Sequence, residues 1–383
     1  MKIWTRPSRG MLGSRAASVL VFVTSCLGLA ACAPQREAEV VDGETVDTQT
    51  ATIEATPAPE PQAAEAAPVA PPAPAPILKG LAAKVCPPGP FLTGPAGGLS
   101  AIATAGSEPT ALDAKDTGFH LYEGPVWLDG VLYFSDFKTT PGFPSRILAY
   151  TAGTGVRVVL PDSGTNGLAL DASGQHLVGA RHKSKSVVNF STDLKTISDI
   201  AAKFEGKSFD SPNDLVFRSD GNLYFTDPDF QAGSHKDQKS TNVYRVSPSG
   251  EVSVVDATIN NPNGIALAPD ESALYVAGNL EQGFVKRYPI APDGSVGEGS
   301  LLIAHVVVPD GMVFDCAGNL YVTEHTQRRV RVFAPTGNEV ATISGMDKNV
   351  TNVAFGGTDR TTLFITTTGG LYEIELPVPG LPY

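Results

Sequence analysis

The chain has 383 residues, 18% of them charged and 42% hydrophobic, and its 40 acidic against 28 basic side chains give a formal net charge of −12. A field of that sign repels polyanions, which excludes nucleic acid as a partner. The roughly 300 residues after position 78 are rich in aromatic and β-branched side chains; that is long for one ordinary domain, and a repeat architecture resolves the excess.

Met1 to Arg15 carries Lys2, Arg6, Arg9 and Arg15 without an acid, and an apolar run from Ala16 to Ala31 follows. A basic head, a short apolar stretch and small residues before a cut mark a secretory signal, and the run is short for a membrane span. Leu29-Ala30-Ala31-Cys32 resembles the lipobox of bacterial lipoproteins, in which the cysteine becomes the lipidated first residue. The resemblance implies loss of residues 1–31, a lipid on Cys32 as the only membrane attachment, and a place in the cell envelope, with Ala33 favouring the outer membrane. An ordinary signal peptide containing a cysteine is the alternative.

Residues 32–77 hold the lipidated cysteine and a stretch of Ala, Pro, Glu and Thr that lacks the apolar surface to fold. Extended as polyproline II at about 3.1 Å per residue, such a spacer reaches on the order of 100 Å. Cys26 leaves with the signal and Cys32 takes lipid, so Cys86 and Cys316 are left in an oxidising exterior. They either form one disulfide, contributing about 2 to 5 kcal/mol, or sit as two separate buried thiols.

From Glu123 a single phrase recurs: Glu123-Gly-Pro-Val-Trp, Asn166-Gly-Leu-Ala-Leu, Asn213-Asp-Leu-Val-Phe, Asn263-Gly-Ile-Ala-Leu, Asp310-Gly-Met-Val-Phe and Asn352-Val-Ala-Phe, at steps of 43, 47, 50, 47 and 42 residues. A turn follows each, such as Leu128-Asp-Gly or Ser219-Asp-Gly-Asn, and then a strand such as Leu132-Tyr-Phe-Ser-Asp or Leu223-Tyr-Phe-Thr-Asp. A fixed period of this size in β-rich sequence predicts an all-β fold, a six-bladed β-propeller of four-stranded antiparallel blades over residues 78–383. Leu99 to Thr104 is the expected outer strand that closes the ring.

The hairpin pattern puts all six phrase heads at one end of the central channel, and the second strands return to that end at Asp136, His182, Asp227, Asn279 and His325. Glu123, Asn213, Asn263 and Asp310 bring hard oxygen donors from four blades toward one axis. Such a set suits Ca2+, which accepts six to eight oxygens in loose geometry, ahead of Mg2+, Mn2+ or Zn2+. Asn-Gly and Asp-Gly are also common turn pairs, so the alternative is repeat decoration.

Glu123-Gly-Pro-Val-Trp, Ser211-Pro-Asn-Asp-Leu, Pro262-Asn-Gly-Ile-Ala and Pro309-Asp-Gly-Met, in this order at blade spacing, resemble the successive motifs of the gluconolactonase, regucalcin and luciferin-regenerating enzyme family across about Phe119 to Leu376. The resemblance implies that Glu123, Asn213, Asn263 and Asp310 bind the divalent metal and that Asp310 is also the catalytic base or nucleophile in hydrolysis of a lactone, a sugar lactone first. Asn166, His182, Asp227 and His325 are the expected substrate-binding residues. His182 lies between Arg181 and Lys183 where related gluconolactonases often carry Glu-His, so its substrate side departs from the pattern. The loop Asp229 to Thr241 is a lid or a long surface connection. Rival readings are a promiscuous esterase or organophosphate hydrolase, and a non-catalytic propeller that binds a ligand; a monomer is expected in each case.

Overall fold

The chain divides into two units, Met1–Pro71 and Pro72–Tyr383. A computed structural model describes Cys86, Gly89, Thr110–Asp113 and residues 120–381 except 281, all in the second unit. The expected signal, Cys32 and the spacer lie outside the described residues.

Each repeat folds as one antiparallel four-stranded sheet in the order inner, second, third, outer. Blade one is His120–Leu128, Val131–Lys138, Ser145–Thr151 and Gly155–Leu160; blade two is Leu168–Leu170, Leu177–Arg181, Ser186–Phe190 and Ile197–Ala201. Blade three is Leu215–Phe217, Leu223–Asp227, Asn242–Val246 and Val252–Asp256; blade four is Ile265–Leu267, Ala273–Gly278, Gly283–Pro289 and Ser300–Val306. Blade five is Pro309–Phe314, Leu320–Glu324, Arg329–Phe333 and Glu339–Ile343. Blade six takes Val350–Gly356, Thr362–Thr367 and Gly370–Glu375 from the end of the chain and Thr110–Asp113 from its beginning. The predicted propeller is therefore the fold, but the ring closes with Thr110–Asp113 pairing the last strand through Thr110 opposite Glu373. Leu99 to Thr104, the expected closing strand, lies outside the described residues.

The recurring residues explain why the sheets stack. Asp129 and Gly130 both have positive φ, 48° and 82°, in the two-residue turn that pairs Leu128 with Val131, which is the twist a tight hairpin requires. The aromatic and aliphatic residues of the second strands are buried between neighbouring blades; Tyr321 of blade five meets Phe355 of blade six edge-to-face at 5.3 Å, and Trp127 of blade one stacks on Phe364 of blade six at 5.5 Å. Such pairs add about 0.5 to 1.5 kcal/mol beyond their buried area. The Ser or Thr after the aromatic pair of the second strand stitches one blade to the next. Ser135 Oγ and Thr165 Oγ1 share a hydrogen bond, Thr226 Oγ1 donates to the Asn263 carbonyl, and Thr323 Oγ1 donates to the Thr351 carbonyl, each at 2.8 Å.

Those stitches also correct the register of the sixth phrase. Thr351 Oγ1 donates to the Tyr122 carbonyl, and Asn352 N–H donates to Thr366 Oγ1 just as Asp214 N–H donates to Thr226 Oγ1. Thr351 thus stands at the phrase head, and Asn352 occupies the following place, which is glycine in blades one, two, four and five. A carboxamide made Asn352 look like another Asn-Gly head; the pairing of Val353 with Ile365 fixes it one residue later.

Away from the phrase heads, Cys86 and Cys316 form a disulfide. Cys316 lies in the hairpin turn of blade five, where its N–H also donates to the Pro379 carbonyl. The beginning and end of the described chain are thereby held at the same corner.

Candidate active site

At the phrase heads the inner strands leave regular pairing. The ladder shifts between Glu123 and Val126, between Pro309 and Met312, and between Val350 and Val353, while in blades two, three and four the strand starts only two residues after the head. Bulges of this kind re-aim side chains. The heads of blades two, three and four sit at one level, since Asn166, Asn213 and Asn263 each donate N–H to the matching second-strand carbonyl, of Ala180, Thr226 and Ala277. Glycine after the head lets neighbouring blades close in: a Cβ on Gly264 would lie 2.1 Å from the Asp310 carbonyl oxygen, and one on Gly167 would lie 2.4 Å from that of Asn213.

Glu123 and Asp310 are brought together although they belong to blades one and five. Both are buried, 5% and 7% exposed, and both have pKa values raised by burial. Repulsion from Asp310 and Asp214 pushes Glu123 further, well above the usual carboxylate range, while Gly124 N–H and Asn352 Nδ2 donate to its Oε2, each at 3.2 Å. Contacts from the side chains of His325 and Asn263 moderate the shift at Asp310. His325 Nδ1 lies 3.4 Å from Asp310 Oδ2, an electrostatic contact longer than a well-made hydrogen bond. Burial opposes charge on His325, but Asp310 outweighs it and the imidazole pKa is raised.

The remaining expected residues divide. Asn213 is buried at its head position, and Asn166 is buried with Oδ1 lacking a hydrogen-bond partner. His182 lies in the cleft between blades one and two, edge-on to Phe137 and Phe143; its Nε2 bonds the Phe143 carbonyl at 2.8 Å, and burial lowers its pKa. Asp227 is fully buried and turned to backbone: its carboxylate accepts N–H groups of Asp210 and Ser211 at 2.7 to 3.1 Å, and burial raises its pKa to about 7. It holds the loop leading to Asn213. Asp210 in turn accepts the amides of Asp237 and Gln238, and Lys185 donates to the His235 carbonyl, so the Asp229 to Thr241 loop is fastened as a surface connection.

Asp214 was not among the expected site residues. It stands where four other blades carry glycine, and its carboxylate accepts Leu215 N–H at 2.9 Å and Ile265 N–H at 3.3 Å; burial raises its pKa to about 7. On the hairpin side of this level a cavity of about 120 Å³ follows the axis, with Asp214 and Asn352 among walls otherwise built of residues such as Val126, Leu168, Leu215, Ile265 and Met312. Asp171, in the blade-two hairpin turn, also lines this cavity.

Among the described residues, no three His, Cys, Asp or Glu side chains are close enough to hold a metal alone. The head set has two carboxylates and amide oxygens, so Asn side chains must complete any coordination. Crowded buried carboxylates with neutral oxygen donors fit a hard divalent cation better than they fit zinc.

The model of the SMP-30/Gluconolactonase/LRE-like region matches residues 121–369, from the inner strand of blade one to the last hairpin. The chain belongs to this family. A gluconolactonase of Zymomonas mobilis is 29% identical over 302 residues, covering 70% of this chain and 82% of that protein. A pentonolactonase of Haloferax volcanii is 26% identical over 274 residues, covering 68% of this chain and 86% of that protein. Among solved structures, a gluconolactonase of Xanthomonas campestris superposes with a TM-score of 0.62 at 25% identity, over 76% of this chain and 99% of that one.

Proposed function

We propose that this chain is a divalent-cation-dependent lactonase that hydrolyses sugar lactones, with Ca2+ as its ion. The observation that carries the reading is the meeting of Glu123 and Asp310, two buried carboxylates from different blades, with Asp310 raising the cost of ionising Glu123. A cation held by these carboxylates would offset that cost. Membership of the family and relatives named for gluconolactone and pentonolactone hydrolysis support lactones as the substrate class.

Glu123, Asn213, Asn263 and Asp310 would hold the ion, which supplies positive charge to polarise the lactone carbonyl. The chain's own residues then manage water and protons. Asp310 would take the proton of the attacking water, with His325, 3.4 Å away, steadying the carboxylate. Asn166 Oδ1, buried and unpartnered, is an acceptor for a substrate hydroxyl.

The test is a panel of aldonolactones and simple esters, followed as acid release by the purified protein and by Asp310→Asn and Glu123→Gln. Turnover of sugar lactones that Asp310→Asn abolishes and Glu123→Gln lowers supports the reading; turnover by both variants equal to that of the unsubstituted protein ends it. We also infer export and lipid anchoring through Cys32, supported by the basic head, the Leu29-Ala30-Ala31-Cys32 sequence and a disulfide that suits an oxidising compartment. Cys32→Ser should move the protein from the membrane fraction to the soluble envelope fraction; unchanged membrane association would contradict the anchor.

A further inference from the structure

The ring of phrase heads has two exceptions. Blades one, two, four and five follow the head with glycine, whereas blades three and six, opposite one another in the ring, follow it with Asp214 and Asn352. Both side chains project into the one place where six inner strands converge. A Cβ on Gly311 would lie 1.9 Å from Asn352 Oδ1, so the glycine of blade five is the condition for the amide of blade six to be there.

The direction of that amide is fixed by its neighbours. Asn352 Oδ1 accepts Val353 N–H at 2.8 Å, which leaves Nδ2 to donate to Glu123 Oε2 at 3.2 Å. Asp214 lines the same axial cavity as Asn352, and its two carboxylate oxygens are held by backbone N–H groups of blades three and four. Glu123 is therefore held by an amide whose own orientation is fixed by Val353 N–H.

We propose that Asn352, with Asp214 beside it on the axis, is the positioning residue that aims the Glu123 carboxylate at the cation. This rests on the divalent-cation reading of the site. In this role they act by holding a ligand in the orientation that binding needs, and loss of such a partner typically weakens metal affinity by about 10- to 100-fold.

The experiment is calorimetric titration of Ca2+ alone into the purified, metal-stripped protein and into Asn352→Ala, Asp214→Ala and the double variant, with thermal unfolding of each metal-free protein measured beside it. The expected result is a Kd raised about 10- to 100-fold in each single variant, and a double variant no weaker than the worse single one, because the two residues act as a unit. A Kd unchanged in the single variants, whatever their unfolding temperatures, overturns the proposal, and so do losses that multiply in the double variant. Asn352→Gly, which installs the residue of four other blades, serves if the alanine variant does not fold, with the same expectation. Failure of the unsubstituted protein to bind Ca2+ is a different outcome: it rejects the cation reading itself.

Discussion

Asn352 Nδ2 donates to Glu123 Oε2 at 3.2 Å, although the two residues are 229 positions apart in the chain. The bond crosses the seam at which the last blade meets the first, so closing the ring and assembling the site are one event. One residue earlier on both strands, Thr351 Oγ1 bonds the Tyr122 carbonyl across the same seam.

The pair Glu123 and Asp310 is expected to respond unequally to substitution. Asp310→Asn removes the proposed proton acceptor and should lower kcat at least about 100-fold, the lower end of what general base catalysis contributes. Glu123→Gln keeps the acceptor and should act first on cation affinity, so raising Ca2+ should recover part of its activity. Steady-state kinetics at several Ca2+ concentrations separate the two; equal rescue of both variants would show that Asp310 is only a ligand.

Thr226→Val tests the stitching of the blades. The hydroxyl donates to the Asn263 carbonyl at 2.8 Å and accepts Asp214 N–H at 3.1 Å, and valine fills the space without either bond. Leaving buried backbone groups unpaired costs about 1 to 3 kcal/mol each. Urea unfolding should therefore show a loss on the order of 2 kcal/mol, and a change below a few tenths would mean that the stitch is replaceable.

Asp227 gives a pH dependence with a definite sign. Burial raises its folded pKa to about 7, far above the unfolded value of an aspartate near 3.8. Between those two values the folded state holds the extra proton, so this group's contribution to stability falls as pH rises through that window and is restored on acidification. Asp227→Asn should flatten the slope of unfolding temperature between about pH 5 and 7.5. An unaltered slope in the variant would assign the titration elsewhere.

Reducing the Cys86–Cys316 disulfide should cost about 2 to 5 kcal/mol in unfolding free energy. Because Cys316 lies on the hairpin side of blade five, away from the phrase heads, lactone turnover of the still-folded reduced protein should stay unchanged. Loss of turnover before loss of fold would show that the corner is coupled to the site.

The blade count and the level of the site were legible because one phrase recurs in register, and a head followed by glycine is what a close-packed axis demands. The sixth phrase was misread by one residue because Asn352 imitates a head while the true head, Thr351, has no carboxylate or amide. Asp214 was hidden for the complementary reason: within Asn213-Asp-Leu it reads as part of a motif, and only alignment with Gly124, Gly167, Gly264 and Gly311 marks it as an exception. Asp227 looked like a residue of the mouth because the hairpin returns it there, yet backbone amides of Asp210 and Ser211 absorb its charge. The direction of a side chain at a strand end depends on the loop opposite, and no periodicity carries that.

The most direct measurement of the central claim is sugar-lactone turnover by the purified protein after metal stripping and after stoichiometric return of Ca2+. The account predicts activity lost with the ion and regained with it in the unsubstituted protein, and neither step in Asp310→Asn. Undiminished turnover after the ion is removed would contradict it.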